Sequence, residues 1–470
     1  MGYVFYDTET TGVETSFDQI LQFGAIYTDD DLNEVERLDL RCQLLPNVVP
    51  HPKALIITGV GPETFLNEEL PSHYEMVETI RSKLIEWSPS LILGYNSIDF
   101  DEVLVRQALY KTLHDPYLTN TLGNLRADVL SLVRAANSLA PGVLEVPLNE
   151  KGRPTFKLDQ LAPANGFEHT NAHEALSDVE ATIFMARKIK ESLPHIWESA
   201  KQTASRKLAT EMITETPCFV QSVTYFGTPY NYVMTFAGNN PKIPYQVTGF
   251  DLDNNPEYYL DADVDGLIDA ITKQPKAIRK IRSNASPVIL AADDILEFFE
   301  TTAESHETYK ERAGALVGNH AFQSRVGDAL ARISDDAAEG REESPYIEEQ
   351  IYSAFLTPQD KARLVEFRKS NWESRLTIVN SLADPRYREL GIRVIYCERP
   401  EILEEVDRNR MDNWVKQHIF NPDPKVPWTT LNKARLELEA ISKVASSEQQ
   451  VLLNSISNFY GNLEGKWSKP

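Results

Sequence analysis

Apolar and polar positions along this chain follow two different periods, and the period changes where the architecture is expected to change. Tyr3, Val4, Phe5 and Tyr6 form a continuous apolar run, the pattern of a strand covered on both faces. Comparable runs predict strands at 20–27, 38–45 and 91–95, while apolar residues recurring at three and four predict helices at 74–87, 102–113, 129–136 and 174–189. Consecutive early strands followed by helix–strand–helix alternation predict a mixed sheet with helices packed on it, over residues 1–195.

Between 196 and 343 the texture becomes β-branched and aromatic. Strands are expected at 218–226, 230–236, 245–250 and 258–260, broken by the turn formers Gly227-Thr228-Pro229, Gly238-Asn239-Asn240-Pro241 and Asp253-Asn254-Asn255-Pro256. A helix over 264–271 interrupts a small β-rich domain. Residues 334–344 are polar and acidic without apolar periodicity and read as a linker. Beyond Pro345 the helical period returns, as at Leu364, Phe367 and Trp372 and at Leu436, Leu438 and Ile441, so 344–470 is expected to be a helical domain. There is no internal repeat.

Composition narrows the class. A chain of 470 residues exceeds one ordinary core, and 42% hydrophobic with 25% charged residues is the balance of a globular protein. No apolar run reaches the ~18 residues of a membrane span, and the amino terminus enters strand sequence directly, so a cytoplasmic location is expected. Cys42, Cys218 and Cys397 match no disulfide framework or zinc spacing and read as buried free thiols. The net charge of −23 argues against a polyanionic partner, unless basic residues gather locally within the ~8–10 Å reach of charge in salt.

Three acidic segments stand out against that background. Asp7 and Glu9 follow the first apolar strand at a spacing of two, which points both carboxylates to one face; crowded carboxylates attract a hard divalent cation. Taken alone, a solvated turn before Gly12 explains them equally well. Asp99, Asp101 and Glu102 follow the strand at 91–95; Asp99 and Glu102 have capping-box spacing, and Asp101 in isolation reads more readily as a complement to the helix dipole than as a ligand. In the third segment, Leu176, Val179, Ile183 and Ala186 form a helical stripe flanked by Asp178. Five residues turn a helix by ~500°, so His173 belongs at the start of that helix or on the loop before it.

Taken together and in this order, the segments resemble the DEDDh group of 3′→5′ exonucleases, whose fold is related to ribonuclease H. Within the group the likeness extends to the exodeoxyribonuclease I family of bacteria. It is carried by Phe5-Tyr6-Asp7-Thr8-Glu9-Thr10, Gln22-Phe23-Gly24-Ala25-Ile26, Ile56-Ile57-Thr58-Gly59-Val60, Gly94-Tyr95-Asn96, Phe100-Asp101, Ala164-Asn165-Gly166 and Asn171-Ala172-His173, and more weakly by Ile351-Tyr352-Ser353-Ala354-Phe355.

The resemblance implies an α/β ribonuclease H-like exonuclease domain with a mixed sheet, then an SH3-like β-rich domain and a helical carboxy-terminal domain. It implies that Asp7, Glu9, Asp101 and Asp178 hold two Mg²⁺ ions, or Mn²⁺, with Asp7 bridging both, and that His173 is the general base. Substrate contacts are implied at Glu9, Tyr95, Phe100 and Lys157, with Phe65 as a further aromatic that stacks on bases. The implied reaction releases nucleoside 5′-monophosphates from the 3′ end of single-stranded DNA, in DNA repair and recombination, by a monomer. Single-stranded DNA-binding protein is the implied partner. Lys276, Arg279, Lys280 and Arg282, on a strand edge or a helix end, and Lys361, Arg363, Arg368 and Lys369, on a helix, are the basic groups available to a groove. A relative acting on RNA or short oligonucleotides would carry the same site, and a non-catalytic binding module the same fold; competent residues at all five catalytic positions favour the enzyme.

Overall fold

The computed structural model describes residues 1–168, 173–340 and 342–468. Five strands, β1 Gly2–Thr10, β2 Ile20–Thr28, β3 Glu34–Arg41, β4 Ser90–Gly94 and β5 Leu125–Asp128, form a sheet in the order β3-β2-β1-β4-β5. β2 runs antiparallel to β1 and β3, whereas β1, β4 and β5 are parallel. This is the mixed sheet that the strand and helix pattern predicts. β3 starts four residues before the expected position and ends at Arg41. The chain then turns away, with Cys42 donating to the Leu21 carbonyl at 3.2 Å.

Alternation along β1 assigns its two faces. Tyr3 and Phe5 join the core beneath α3 Val129–Leu139 and α4 Ala175–Ser192, while Val4 and Tyr6 join the core beneath α1 His73–Glu86 and α2 Asp101–Lys111. Asp7 and Glu9 therefore continue the face on which α4 lies. Asp7 pairs in register with Gly24 of β2. A Cβ at Gly24 would meet backbone atoms of Ala175 and Leu176 at 2.8 Å, so the missing side chain is what lets the first turn of α4 rest on the sheet.

A second sheet is built from β6 Phe219–Tyr225, β7 Thr228–Asn239, β8 Gln246–Asp251, β9 Ile278–Arg282 and β10 Val288–Ala291, ordered β10-β6-β7-β8-β9 and antiparallel throughout. α5 Val264–Thr272 and α6 His320–Ala338 cover it through Leu267, Phe322, Val326 and Leu330. Two expectations fail here. Residues 258–260 are no strand: Pro256 opens a 3-10 turn, Pro256–Tyr258, capped by the Asn255 side chain on the Glu257 N–H at 3.0 Å. The expected linker at 334–344 is helical as far as Ala338, because Phe322, Val326, Ala329 and Leu330 are buried on one face of α6 and its polar residues occupy the other. The basic stretch Lys276–Arg282 supplies β9, at the sheet edge.

The carboxy-terminal region is helical, in α7 Pro358–Lys369, α8 Trp372–Ser381, α9 Pro385–Glu398, α10 Glu405–Phe420, α11 Leu431–Ser442 and α12 Ser447–Trp467. Its side chains share cores with the first domain. Phe367, Leu390 and Ile395 pack with Tyr74, Tyr110 and Leu113, and Val415, Leu431 and Phe459 pack with Leu21, Val49 and Phe65. Of the stripe expected on α11, Leu438 is buried but Leu436 is 62% exposed. Cys42 and Cys218 are buried and Cys397 is only partly so, and all three are free. Among the described residues no helix is long and apolar enough to cross a membrane.

Replacing Gly24 by alanine forces a methyl group into the α4 backbone. The expected cost is ~1–3 kcal/mol of stability, read as a lower thermal midpoint by circular dichroism. An unchanged midpoint would contradict the close packing.

Candidate active site

The site lies where β1 and β4 end. Asp7 is half-buried and Glu9 is buried on the α4 face, and Asp178 enters from the first turn of α4. One oxygen from each of the three lies within 4.8 Å of the other two. Asp101, by contrast, begins α2 on the opposite face of the sheet and is 4% exposed. Its Oδ1 accepts a 2.5 Å hydrogen bond from the Thr8 hydroxyl. Three of the four predicted acids thus form one tight group, and the fourth is held beside it by the residue between Asp7 and Glu9. The charge of Asp101 acts on both Asp7 and Glu9.

Burial and mutual repulsion dominate the electrostatics. Burial raises the Asp7 carboxyl well above the ordinary carboxylate range, and the charges of Asp101, Asp178 and Glu9 raise it further. Glu9 is pushed up to about 8, by burial first and then by Asp178 and Asp101, with Arg41 opposing. Burial lifts Asp101 to about 7 against the hydrogen bond from Thr8. An all-carboxylate donor set under this strain suits a hard divalent cation such as Mg²⁺ or Mn²⁺, which would take the place of the protons.

The turn that delivers Asp101 is set by Asp128 at the end of β5. Its carboxylate accepts the backbone N–H groups of Asn96 (3.1 Å), Ile98 (3.2 Å), Leu130 (2.9 Å) and Ser131 (3.4 Å). Asn96 is left-handed, at φ 64°. The capping box expected from Asp99 and Glu102 does not form. Phe100 takes the N-cap position without a side-chain cap, and Glu102 is buried among Arg106, Arg126 and Thr119, at 2.7, 3.1 and 2.6 Å.

His173 sits just before α4, half-buried and left-handed at φ 67°, as expected for a residue on the loop side of the helix start. Its backbone N–H donates to Asp178 Oδ1 at 3.3 Å. Asn171 and Ala172 of the same motif lie outside the described residues. Glu174 is the N-cap of α4 and accepts the Ser177 N–H at 3.1 Å.

The substrate residues implied by resemblance fall in different environments. The Tyr95 hydroxyl donates to the Phe156 carbonyl at 2.5 Å, which ties it to the neighbour of exposed Lys157. Phe100 is half-buried against the core of the α2 face. Phe65 is 1% exposed and packs edge-on against Phe459, so it has no face for a base and that expectation is withdrawn. Sequence reasoning missed Thr8, Gln22, Asp128 and Glu174. Only Asp128 left a signal, as an acid directly before the apolar helix start Val129-Leu130, the usual N-cap position.

Comparison with known proteins bears on the class of protein. Residues 4–185 match the family model described as Exonuclease, and residues 346–463 match the Exonuclease I C-terminal domain. Exodeoxyribonuclease I of Haemophilus influenzae is 26% identical over 476 aligned residues, covering 96% of this chain and 94% of that protein. Exodeoxyribonuclease I of Escherichia coli is 35% identical over 199 residues, 42% of this chain and 41% of that protein. The solved E. coli exonuclease I in complex with a dA16 oligonucleotide superposes with a TM-score of 0.83 at 23% identity, over 98% of this chain and 99% of that one. Exonuclease I of Methylocaldum szegediense gives 0.82 at 24% identity, with the same coverage. The fold is shared from end to end. Fold and site together define a hydrolase of the exonuclease class on a ribonuclease H-like sheet. Within that class, the chain is similar to exodeoxyribonuclease I along nearly its whole length.

The raised carboxyls generate a pH-dependent prediction. An acid whose folded pKa lies above its unfolded value holds protons that the unfolded chain has lost. The stability of the metal-free protein therefore falls as pH rises through that window, here from ~4 to ~8. A bound cation removes the penalty most effectively where the protons are already gone. Added Mn²⁺ is expected to raise the thermal midpoint more at about pH 8 than at about pH 6. An equal or larger rise at the lower pH would show that the ion binds elsewhere.

Proposed function

We propose that this enzyme hydrolyses single-stranded DNA from its 3′ end, releasing nucleoside 5′-monophosphates. Asp7, Glu9, Asp101 and Asp178 hold two Mg²⁺ ions in this reading, with Mn²⁺ as a substitute, and His173 is the general base. The observation that carries it is the convergence of the Asp7, Glu9 and Asp178 oxygens within 4.8 Å, with Asp101 beside them.

The bound ions supply charge neutralisation for the attacking and leaving oxygens at phosphorus. The chain's own residues do the rest. The carboxylates orient the ions and, with their raised proton affinities, hold protons until the ions replace them. His173, whose backbone N–H meets Asp178, takes the proton of the attacking water. Tyr95, Phe100 and Lys157 receive the terminal nucleotide.

A path for the strand is supported by a groove between the first domain and the carboxy-terminal helices, lined by Tyr117, Phe355, Lys361 and Arg368. Phe355 is 84% exposed and Tyr352 60%, and both rings lie 6.4 Å from that of Tyr117. Exposed rings beside cations are the usual grip on single strands. Two of the other basic positions have acidic partners: Arg363 pairs with Asp360 at 3.0 Å, and Arg279 with Asp251 at 2.8 Å. A solved structure names SSB and exonuclease I with an inhibitor. We extend that partner to this chain and assign it, as a cytoplasmic monomer, to DNA repair and recombination.

Digestion of end-labelled DNA and RNA with Mg²⁺, and again with a chelator, tests the whole reading. Mononucleotides released from the 3′ label of single-stranded DNA, and stopped by the chelator, are the expected result; preferential release from RNA would move the enzyme to the exoribonucleases. Asp7→Ala, Asp101→Ala and Asp178→Ala should each abolish digestion while the fold persists, and full activity in any one would refute its role. His173→Ala should lose rate by ~10²–10⁴-fold with DNA binding intact; equal loss of both would mark a structural histidine. Phe355→Ala should weaken DNA binding by ~1–3 kcal/mol, seen as a higher KM with kcat little changed.

A further inference from the structure

We propose that Gln22 is the positioning residue that seats His173 over the carboxylate cluster, acting through Glu174. The proposal rests on the role assigned to His173 above.

Glu9, Gln22 and Arg41 pair directly across β1, β2 and β3, so they form one row on the α4 face. Gln22 is 2% exposed. Its amide nitrogen donates to Asp39 Oδ1 and to Glu174 Oε1, both at 2.8 Å, which uses both of its hydrogens. Arg41 Nη2 reaches the same Glu174 oxygen at 3.5 Å. The second oxygen of Glu174 accepts the Ser177 N–H at 3.1 Å. One carboxylate therefore joins the sheet row to the first turn of the helix.

His173 is the residue immediately before this joint. Its left-handed backbone, φ 67°, is one that a non-glycine residue holds only where its surroundings impose it. Among the described residues, two of the contacts at that turn bear directly on His173 and its neighbour. One is the His173 N–H on Asp178 at 3.3 Å, and the other is the clamp on Glu174. Gly24, one row along, lets the turn approach closely enough for the amide of Gln22 to span the gap.

The chemistry of the clamp also explains the residue type. An apolar side chain at position 22 would leave the Asp39 and Glu174 carboxylates without the donor between them. A cationic one would add a full charge one strand from Glu9 and compete for the acids meant for metal. A buried primary amide supplies two donors and no net charge.

The test uses the full-length chain and the variants Gln22→Met, Glu174→Gln and Glu174→Ala, alone and with His173→Ala. Measured quantities are kcat and KM on single-stranded DNA, and Mn²⁺ affinity by electron spin resonance. Gln22→Met and Glu174→Ala should lower kcat by ~10–100-fold through misplacement of the base, with KM and Mn²⁺ affinity within about threefold of the parent. Glu174→Gln keeps one acceptor oxygen where Gln22 and Ser177 use two, so it should lose less rate than Glu174→Ala. In the His173→Ala background, Gln22→Met should cost nothing further, since both changes remove the same contribution. Additive losses, or Mn²⁺ affinity falling in step with kcat, would overturn the assignment in favour of general support of the site. Should Gln22→Met fail to fold, Glu174→Ala decides the same questions. If the parent binds Mn²⁺ but digests no DNA, the reading of the function fails, and amide exchange separates the two. The clamp requires faster exchange at 173–177 in Gln22→Met, and unchanged exchange would refute it.

Discussion

Carboxylates buried side by side repel one another, and every feature around this site is a way of holding them there regardless. Burial alone disfavours the ionised form, and each neighbour adds to the penalty, which is why Asp7, Glu9 and Asp101 all have raised affinities for protons. Left to a flexible loop, such groups would turn outward to water. Here they are fixed by rigid elements: a central strand for Asp7 and Glu9, and the first turns of two helices for Asp101 and Asp178. The two helices lie on opposite faces of the sheet, so the acids approach from both sides of one strand end. The repulsion that remains is the attraction for a cation.

The surrounding contacts make sense as restraints on that arrangement. Asp128 collects four backbone N–H groups and thereby fixes the left-handed turn leading to Asp101. Thr8 points away from Asp7 and Glu9 by strand alternation, and so is free to hold Asp101 from the other face. Gly24 contributes by having no side chain, because a Cβ there would press on the backbone of the first turn of α4, the turn that carries Asp178. Farther out, the carboxy-terminal helices share cores with the first domain, which brings the exposed ring of Phe355 near Tyr117 and forms a groove that neither segment has alone. Lys361 and Arg368 line that groove, a local gathering of positive charge on a chain whose net charge is −23.

How far the primary structure could be read differs from residue to residue. The apolar run before Asp7 and the spacing of Asp7 and Glu9 express strand geometry, which is local, and both residues lie where that geometry puts them. The helix start near Asp101 was legible as well, but its partner was not. Thr8 and Asp101 are ninety-three residues apart, and nothing in either stretch encodes their meeting. Glu102 was misread as a cap because capping-box spacing is a local rule, and the tertiary pairing with Arg106 and Arg126 outweighed it. Phe65 was misread because a single aromatic residue carries no mark of whether other helices will cover it. The linker expected at 334–344 failed for a related reason: the polar side of α6 carries no apolar signal, although the buried side upstream does.

By itself, then, the order of residues determined most of the strands and helices of the first domain, the period change to a β-rich and then a helical region, and the shared face of Asp7 and Glu9. These follow from backbone geometry and hydrophobic period, which operate over a few residues. Only the tertiary structure decided that three acids form one tight group while the fourth stands behind Thr8, that Gln22 clamps Glu174, and that the carboxy-terminal helices complete a groove. Those outcomes depend on distances between segments remote in the chain. Such distances are set by how side chains of particular volume pack, and no local pattern contains them.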